Sequence, residues 1–273
     1  MEIVMIFSVE IVTMSEFYNF VLKDLDLTNK LILDAAVGAG IATYFWAKEI
    51  HKQKGLSKIV AVDKFLPQKT REQIEKYLGQ YSKYVEFKEA NIYNLDFLHN
   101  DTIDIINCDN TIVFLESKPL KVLYAFKEFY RVLKPGGILI ITSNMPIENH
   151  MNSANEGNWR VRVFTRALYT LKGTTWLAEP LLPEVKFALK IIGLTVYEEK
   201  IFPAKKSYVY SGYLKTWKKE VMTLINSIPW SGHLKDCLKE ELLKILDKIS
   251  KDGYLMYPEH YVLKSKKPLL KEG

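Results

Sequence analysis

The stretch Leu31-Ile32-Leu33-Asp34-Ala35-Ala36-Val37-Gly38-Ala39-Gly40-Ile41-Ala42-Thr43-Tyr44 decides how this chain is read. An apolar run of strand length, Leu31 to Ala35, leads into small residues and then into an amphipathic stretch from Ile41 to Lys54. A strand that feeds a helix through small residues lets the backbone approach a ligand closely, and it presents helix N–H groups and the positive end of the helix dipole there. A dinucleotide fingerprint would place its third glycine where Thr43 stands. The acid Asp34, four residues before Gly38, is awkward beside a pyrophosphate and suits a cation or an amino group.

Working outward, short apolar runs alternate with amphipathic stretches, the pattern of β/α units around a mainly parallel sheet. Lys58–Val62, Tyr84–Glu89, Ile103–Asn107 and Ile138–Thr142 read as strands. Gln68–Tyr81 reads as a helix. A second helix is marked by Leu120, Leu123, Phe126, Tyr130 and Leu133, and Lys134-Pro135-Gly136-Gly137 is expected to end it and turn the chain into the next strand. Residues 145–159 read as a polar loop before a helix carrying Val161, Phe164, Leu168 and Leu171. Pro183–Ile192 is expected as a helix, Leu194–Phe202 as a strand, residues 204–253 as two amphipathic helices, Tyr257–Lys264 as the last strand, and the Lys-rich tail as frayed.

At the N-terminus, residues 3–13 suggest a strand or packing arm, with a helix capped by Ser15 to follow; Met14 is an alternative start. The N-terminal stretch lacks a basic flank and is too short for a membrane span or signal peptide.

The strings along residues 30–145, taken together, resemble those of the class I S-adenosylmethionine-dependent methyltransferases, in that family's order. Asp34, Ala36, Gly38 and Gly40 occupy the marked places of an acid-x-Gly-x-Gly-x-Gly motif, with Ala36 in place of the first glycine. Asp63, 29 residues after Asp34, looks like the second-strand acid that holds ribose hydroxyls. Asn91 looks like the residue that meets the adenine amino group, where the family usually has Asp, and Ile92 like the one whose backbone N–H meets the ring. Asn107-Cys108 resembles the fourth strand and the turn at the methionine end. Phe129 to Ile141, with its Lys-Pro-Gly-Gly, is close to the family's most recognisable string.

The resemblance implies a Rossmann-like α/β fold of seven mostly parallel strands, helices on both faces, and a helical cap inserted between the last two strands. It is strongest toward the small-molecule enzymes that resemble the ubiquinone and menaquinone methyltransferases. S-adenosyl-L-methionine is the implied cofactor. The expected organisation is one domain: arm and helix 1–30, cofactor core 31–145, acceptor-side elements 146–203, cap 204–253, and last strand with tail 254–273.

Methyl transfer from a sulfonium needs alignment and, for some nucleophiles, removal of a proton, so no universal catalytic residue is expected. His150, in the loop after the fifth strand, and Asp109 are the candidate bases. Asp109, Asn110 and Asn144 follow strand ends where open α/β sheets bind ligands. Asn107-Cys-Asp-Asn110 departs from the Asn/Asp-Pro-Pro-Tyr string of amino-methylating nucleic-acid enzymes. Arg160, Arg162 and Arg166 are three of only five arginines, and the last two share a helix face; planar forks suit a carboxylate or phosphate. Tyr210, among Tyr208, Tyr213 and Trp217, suits a planar acceptor in a cap that would exclude water.

Composition bounds the partners. The chain has 273 residues, 48% hydrophobic and 26% charged, ample for a core without staples. Cys108 and Cys237 offer neither a disulfide framework nor a zinc site; both are expected to behave as small hydrophobes in a reducing cytoplasm. Residues 1–150 hold 17 Lys and Arg against 19 Asp and Glu, a net −2, whereas residues 151–273 hold 21 against 13, a net +8. That surplus points first to a small acidic acceptor, and second to RNA or protein; a fold retained as a binding module without turnover is the third reading. Oligomeric state is left open.

Overall fold

The computed structural model describes residues 11–115, 120–146, 151–174, 179–209 and 211–269. Two compact units emerge: one comprises 10–144, 179–201 and 261–273, the other 1–9, 145–178 and 202–260.

The first unit is built on a seven-stranded sheet. Its strands are β1 (Leu31–Ala35), β2 (Lys58–Asp63), β3 (Val85–Glu89), β4 (Ile103–Asp109), β5 (Leu133–Asn144), β6 (Thr195–Phe202) and, last in the chain, β9 (His260–Lys266). Their order is β3-β2-β1-β4-β5-β9-β6. The pairings β3 with β2, β2 with β1, β1 with β4, and β4 with β5 are all parallel. Chain order reverses between β1 and β4, and such a switch point opens a crevice at the C-terminal strand ends.

The central strands are buried on both faces, with Ile32, Leu33, Ile59, Val62, Ile106 and Ile140 among their buried residues, whereas the edge strands β3 and β6 are largely exposed. Helices α1 (Ile11–Leu22), α2 (Ile41–Lys52), α3 (Gln68–Leu78), the single turn α4 (Ile112–Leu115), α5 (Leu123–Val132) and α7 (Leu182–Ile191) belong to this unit, as does a 3₁₀ segment over Gly79–Tyr84. Helix α2 buries Ala42, Thr43, Trp46, Ala47 and Ile50, which recur at helical spacing.

Several expectations are corrected here. Helix α1 begins at Ile11, so Ser15 lies within it and does not cap it; residues 3–10 lie outside the described ones. Lys134–Gly137 does not precede β5 but forms part of it. Ile103 pairs with Leu133 and Ile105 with Ile138, so the extra residues bulge out, with Gly136 at φ 78°. The Lys-rich end is not frayed through residue 269. Lys267 is nearly buried, with its ammonium 2.7 Å from Asp101 and 2.8 Å from the carbonyls of Tyr130 and Leu133. Lys264, buried as well, pairs with Glu198 at 2.9 Å. A buried ammonium requires such partners.

The second unit is helical: α6 (Glu156–Leu171), α8 (Ser211–Ser227) and α9 (Gly232–Asp252), joined by an antiparallel ribbon of β7 (Lys205–Tyr208) and β8 (Tyr254–Tyr257). Val161, Phe164 and Leu168 of α6 share one core with Trp217, Val221 and Ile225 of α8 and with Leu242, Ile245 and Ile249 of α9. That shared apolar stripe is why the expected partition fails. Residues 146–203 are not one stretch, because α6 belongs with the cap helices while α7 and β6 belong with the sheet. The ribbon was not expected, since strands of four residues are too short for an alternation to be read. The expected strand 257–264 divides at Pro258-Glu259.

Candidate functional site

The site grows from the C-terminal ends of β1, β2 and β4. Between β1 and α2 the backbone turns through three left-handed residues, Ala36 at φ 68°, Gly38 at φ 51° and Gly40 at φ 79°. Glycine adopts this conformation freely, whereas Ala36 adopts it at a cost of about 1 kcal/mol. Alternating left-handed residues curve backbone N–H groups into a concavity suited to an anionic group. A Cβ on Gly38 would meet nothing within 4 Å, so the front of the turn is open to a ligand. A Cβ on Gly40 would lie 2.5 Å from Cγ2 of Ile74, so that glycine is required by packing against α3.

Three carboxylates surround this turn. Asp34 is 2% exposed. One of its oxygens accepts from the Thr43 hydroxyl at 2.5 Å and the other from the Asn107 amide at 2.8 Å. The parallel register explains the second bond, since Asp34 stands opposite Asn107 across β1 and β4. Burial pushes the Asp34 carboxyl up to about 6 against those two hydrogen bonds, and the charges of Asp109 and Asp63 add to the rise.

Asp63, half-buried at the end of β2, accepts from the backbone N–H of Gly38 at 3.1 Å and of Phe65 at 3.3 Å. The second-strand acid thus grips the turn that follows the first strand. Asp109 stands opposite Thr142 of β5 and accepts from its hydroxyl; its other oxygen accepts from the Tyr18 hydroxyl at 2.7 Å. Tyr18 is buried and stacks on Phe45 of α2 at 4.2 Å, so its ring packs α1 on α2 while its hydroxyl ties α1 to the end of β4.

The remaining sequence candidates divide. Asn91 is exposed, and its side-chain carbonyl accepts from the Tyr93 N–H at 3.1 Å; Ile92 is buried. Cys108 is fully buried, and burial raises its thiol pKa further from ionisation, as expected of a small hydrophobe. Cys237 is exposed on α9, contrary to expectation. Asn110 adopts φ 47° and donates its N–H to the Thr142 carbonyl at 3.0 Å.

Arg160 is engaged within the helical unit. It pairs with Glu156 at 2.9 Å and with Glu241 of α9 at 3.4 Å, while Lys248 joins Glu156 at 3.6 Å and Asp252 at 2.8 Å. Arg162 is half-buried and Arg166 exposed. His150 and Tyr210 lie outside the described residues. Sequence reasoning missed Tyr18, Thr43 and Thr142. A long-range partner such as Tyr18, 91 residues from Asp109, leaves no local signal. Thr43 had one, a short donor in the first turn of the helix that follows a strand-end acid.

This arrangement can be set beside known proteins. Residues 33–141 match the family model described as a methyltransferase domain. Over those residues the chain carries a methyltransferase domain. The matched residues run from β1 into β5 and contain Asp34, Asp63 and Asp109. No curated protein matches the sequence.

Among solved structures, a Bacillus halodurans protein described as a methyltransferase is 18% identical at TM-score 0.57, the match covering 92% of this chain and 98% of that one. A Methanosarcina mazei S-adenosylmethionine-dependent methyltransferase is 15% identical at TM-score 0.56, covering 93% and 99%. Haemonchus contortus phosphoethanolamine N-methyltransferase 2, solved with S-adenosyl-L-methionine, is 15% identical at TM-score 0.52, covering 93% of this chain and 52% of that one. At these identities the likeness concerns the fold.

The Haemonchus enzyme holds S-adenosylmethionine, a group against which the site of this chain can be tested. The strand ends of this chain fit that group, since the open front at Gly38 leaves room for it and the carboxylates of Asp34, Asp63 and Asp109 suit a cationic cofactor. Among the described residues, no helix is long and apolar enough to cross a membrane.

Proposed function

We propose that this methyltransferase passes the methyl group to a small-molecule acceptor by direct displacement. The supporting observation is how the basic surplus is used. Within residues 151–273 the helical unit holds 14 Lys and Arg against eight Asp and Glu, so it carries +6 of the +8. The remaining +2 falls in the sheet unit, where Lys264 and Lys267 are buried in ion pairs. On α9, Lys239, Lys244, Lys248 and Lys251 each pair with a carboxylate one turn away. Cations neutralised in this way release few counterions from a polyanion, which weakens the case for RNA.

In this reading, Asp63 holds the ribose hydroxyls, Asn91 and Ile92 face the adenine ring, and Ala36, Gly38 and Gly40 line the methionine end, whereas Cys108, fully buried, does not reach it. When bound, S-adenosylmethionine supplies the electrophilic methyl group on a leaving group that needs no acid. The chain's own task is to align the nucleophile and exclude water. Asp109 and His150 are the proposed bases for a nucleophile that must lose a proton. Arg162, Arg166 and Tyr210 are the proposed contacts to an acidic or planar acceptor, whereas Arg160 is committed to α9. The cytoplasm is the proposed setting.

The test is transfer of a labelled methyl group from S-adenosylmethionine into small-molecule, RNA and protein fractions, each at low and high salt. Label in the small-molecule fraction, insensitive to salt, supports the reading. Label confined to RNA and lost with added salt would replace it.

A further inference from the structure

We propose that Asp34 is a positioning residue of the cofactor turn, not a ligand contact, and that Thr43 and Asn107 are the partners through which it acts. This rests on the cofactor-binding reading of the strand ends and departs from the contact that motif resemblance implies for the acid. A carboxylate that meets a ligand must direct a lone pair outward. Asp34 is 2% exposed, and each oxygen is taken up inside the protein. Its two donors come from different elements, Thr43 from the first turn of α2 and Asn107 from β4. Asp34 therefore pins the end of β1 to both, and the turn 36–40 lies between the pinned points. Loosening either tie lets the turn change shape.

A second observation concerns Asn107. Its Oδ1 is buried and has no hydrogen-bond partner, while its Nδ2 donates to Asp34. An orphaned buried carbonyl costs about 1–3 kcal/mol, and the charge-assisted bond to an ionised Asp34 offsets it. Once Asp34 is protonated that bond weakens, and Oδ1 becomes the better partner for the new O–H after the amide rotates. The tie to β4 thus depends on the proton state of Asp34. The groups facing this carboxyl are Thr43 on α2, Asn107 and Cys108 on β4, and the carboxylates Asp109 and Asp63 at neighbouring strand ends, with Tyr18 of α1 donating to Asp109. Its ionisation near about 6 falls in an accessible range.

The experiment is calorimetric titration with S-adenosylhomocysteine, whose sulfur is uncharged, on wild type, Asp34→Asn, Thr43→Val, Thr43→Ser and Asp63→Ala, with a melting curve for each. Wild-type affinity is expected to fall about ten-fold between about pH 8 and about pH 5. Asp34→Asn, uncharged like the protonated acid, is expected to bind about ten-fold more weakly than wild type at about pH 8 and to lose the pH dependence. Thr43→Val is expected to lose about ten-fold and Thr43→Ser to recover it.

The proposal is overturned if folded Asp34→Asn loses about a hundred-fold, as a lost charged contact would produce. Folded Thr43→Val binding like wild type, or a flat wild-type pH profile, overturns it too. If Thr43→Val does not fold, the wild-type profile and Asp34→Asn still decide the matter. Failure of the wild type to bind at any pH would instead remove the cofactor reading itself, and this proposal with it.

Discussion

The sheet unit and the helical unit treat their charged groups in opposite ways. At the strand ends of the sheet, Asp34, Asp63 and Asp109 are held by hydroxyl, amide and backbone donors, with no cation among those partners. In the helical unit, Glu156, Glu241 and Asp252 are met by Arg160, Lys244 and Lys248. Paired charges of the second kind hold helices together and contribute little each. Carboxylates kept without counter-charge retain a field that a cationic ligand can satisfy. The contrast locates chemistry in the first unit and architecture in the charged network of the second.

Substitutions probe this contrast, beginning with the largest expected effect. Gly40→Ala sets a Cβ 2.5 Å from Ile74 and forces a side chain onto φ 79°. It is expected to destabilise by about 3 kcal/mol, lowering the melting temperature by about 10 °C.

Asp34→Asn acts on the same turn through charge. Because burial raises the folded-state carboxyl to about 6 from 3.8, the folded protein holds its proton more tightly than the unfolded chain. The stability this confers is fully present below the unfolded value and is lost as pH rises through about 6. Asp34→Asn removes that dependence, so relative to the variant the wild type is expected to lose about 2 kcal/mol between about pH 4 and about pH 8. Parallel melting curves checked over that range test it, and a constant difference would show that Asp34 does not titrate there.

In the helical unit, Arg160→Ala is expected to cost about 0.5–1 kcal/mol in a denaturant melt, since its partners are partly exposed. A much larger loss would blur the contrast between the units. The smallest effect has the opposite sign, Ala36→Gly being expected to stabilise by about 0.5–1 kcal/mol in the same assay by relieving a left-handed alanine.

Much of the sheet unit was legible before the structure. The small-residue turn, Asp63 and the sequence of strands all show as local pattern, because a fully buried strand reads as an unbroken apolar run. What stayed hidden depends on register and long-range approach. Nothing local says that Asp34 faces Asn107, or that Asp109 meets Thr142 and Tyr18; those pairings exist only once β1, β4 and β5 lie side by side. The carboxylate that motif resemblance turns toward the cofactor is in fact turned inward.

The helical unit was less legible. Its amphipathic stripes gave the helices, but whether α6 packs on the sheet or on α8 and α9 is not written in the stripe itself. The Glu156 to Arg160 spacing was visible in the chain, and the third member Glu241, 81 residues away, was not. Part of the +8 was hidden for a related reason, since it counts Lys264 and Lys267, which are buried in the sheet unit.

The central claim is that the strand ends of the sheet unit bind the cofactor through Asp63. Titration calorimetry of S-adenosylmethionine into wild type and Asp63→Ala tests it most directly. The account predicts saturable binding to the wild type and a loss of about ten- to a hundred-fold in Asp63→Ala, with the melting temperature little changed. Equal affinity in the two folded proteins, or no binding to the folded wild type, would contradict it.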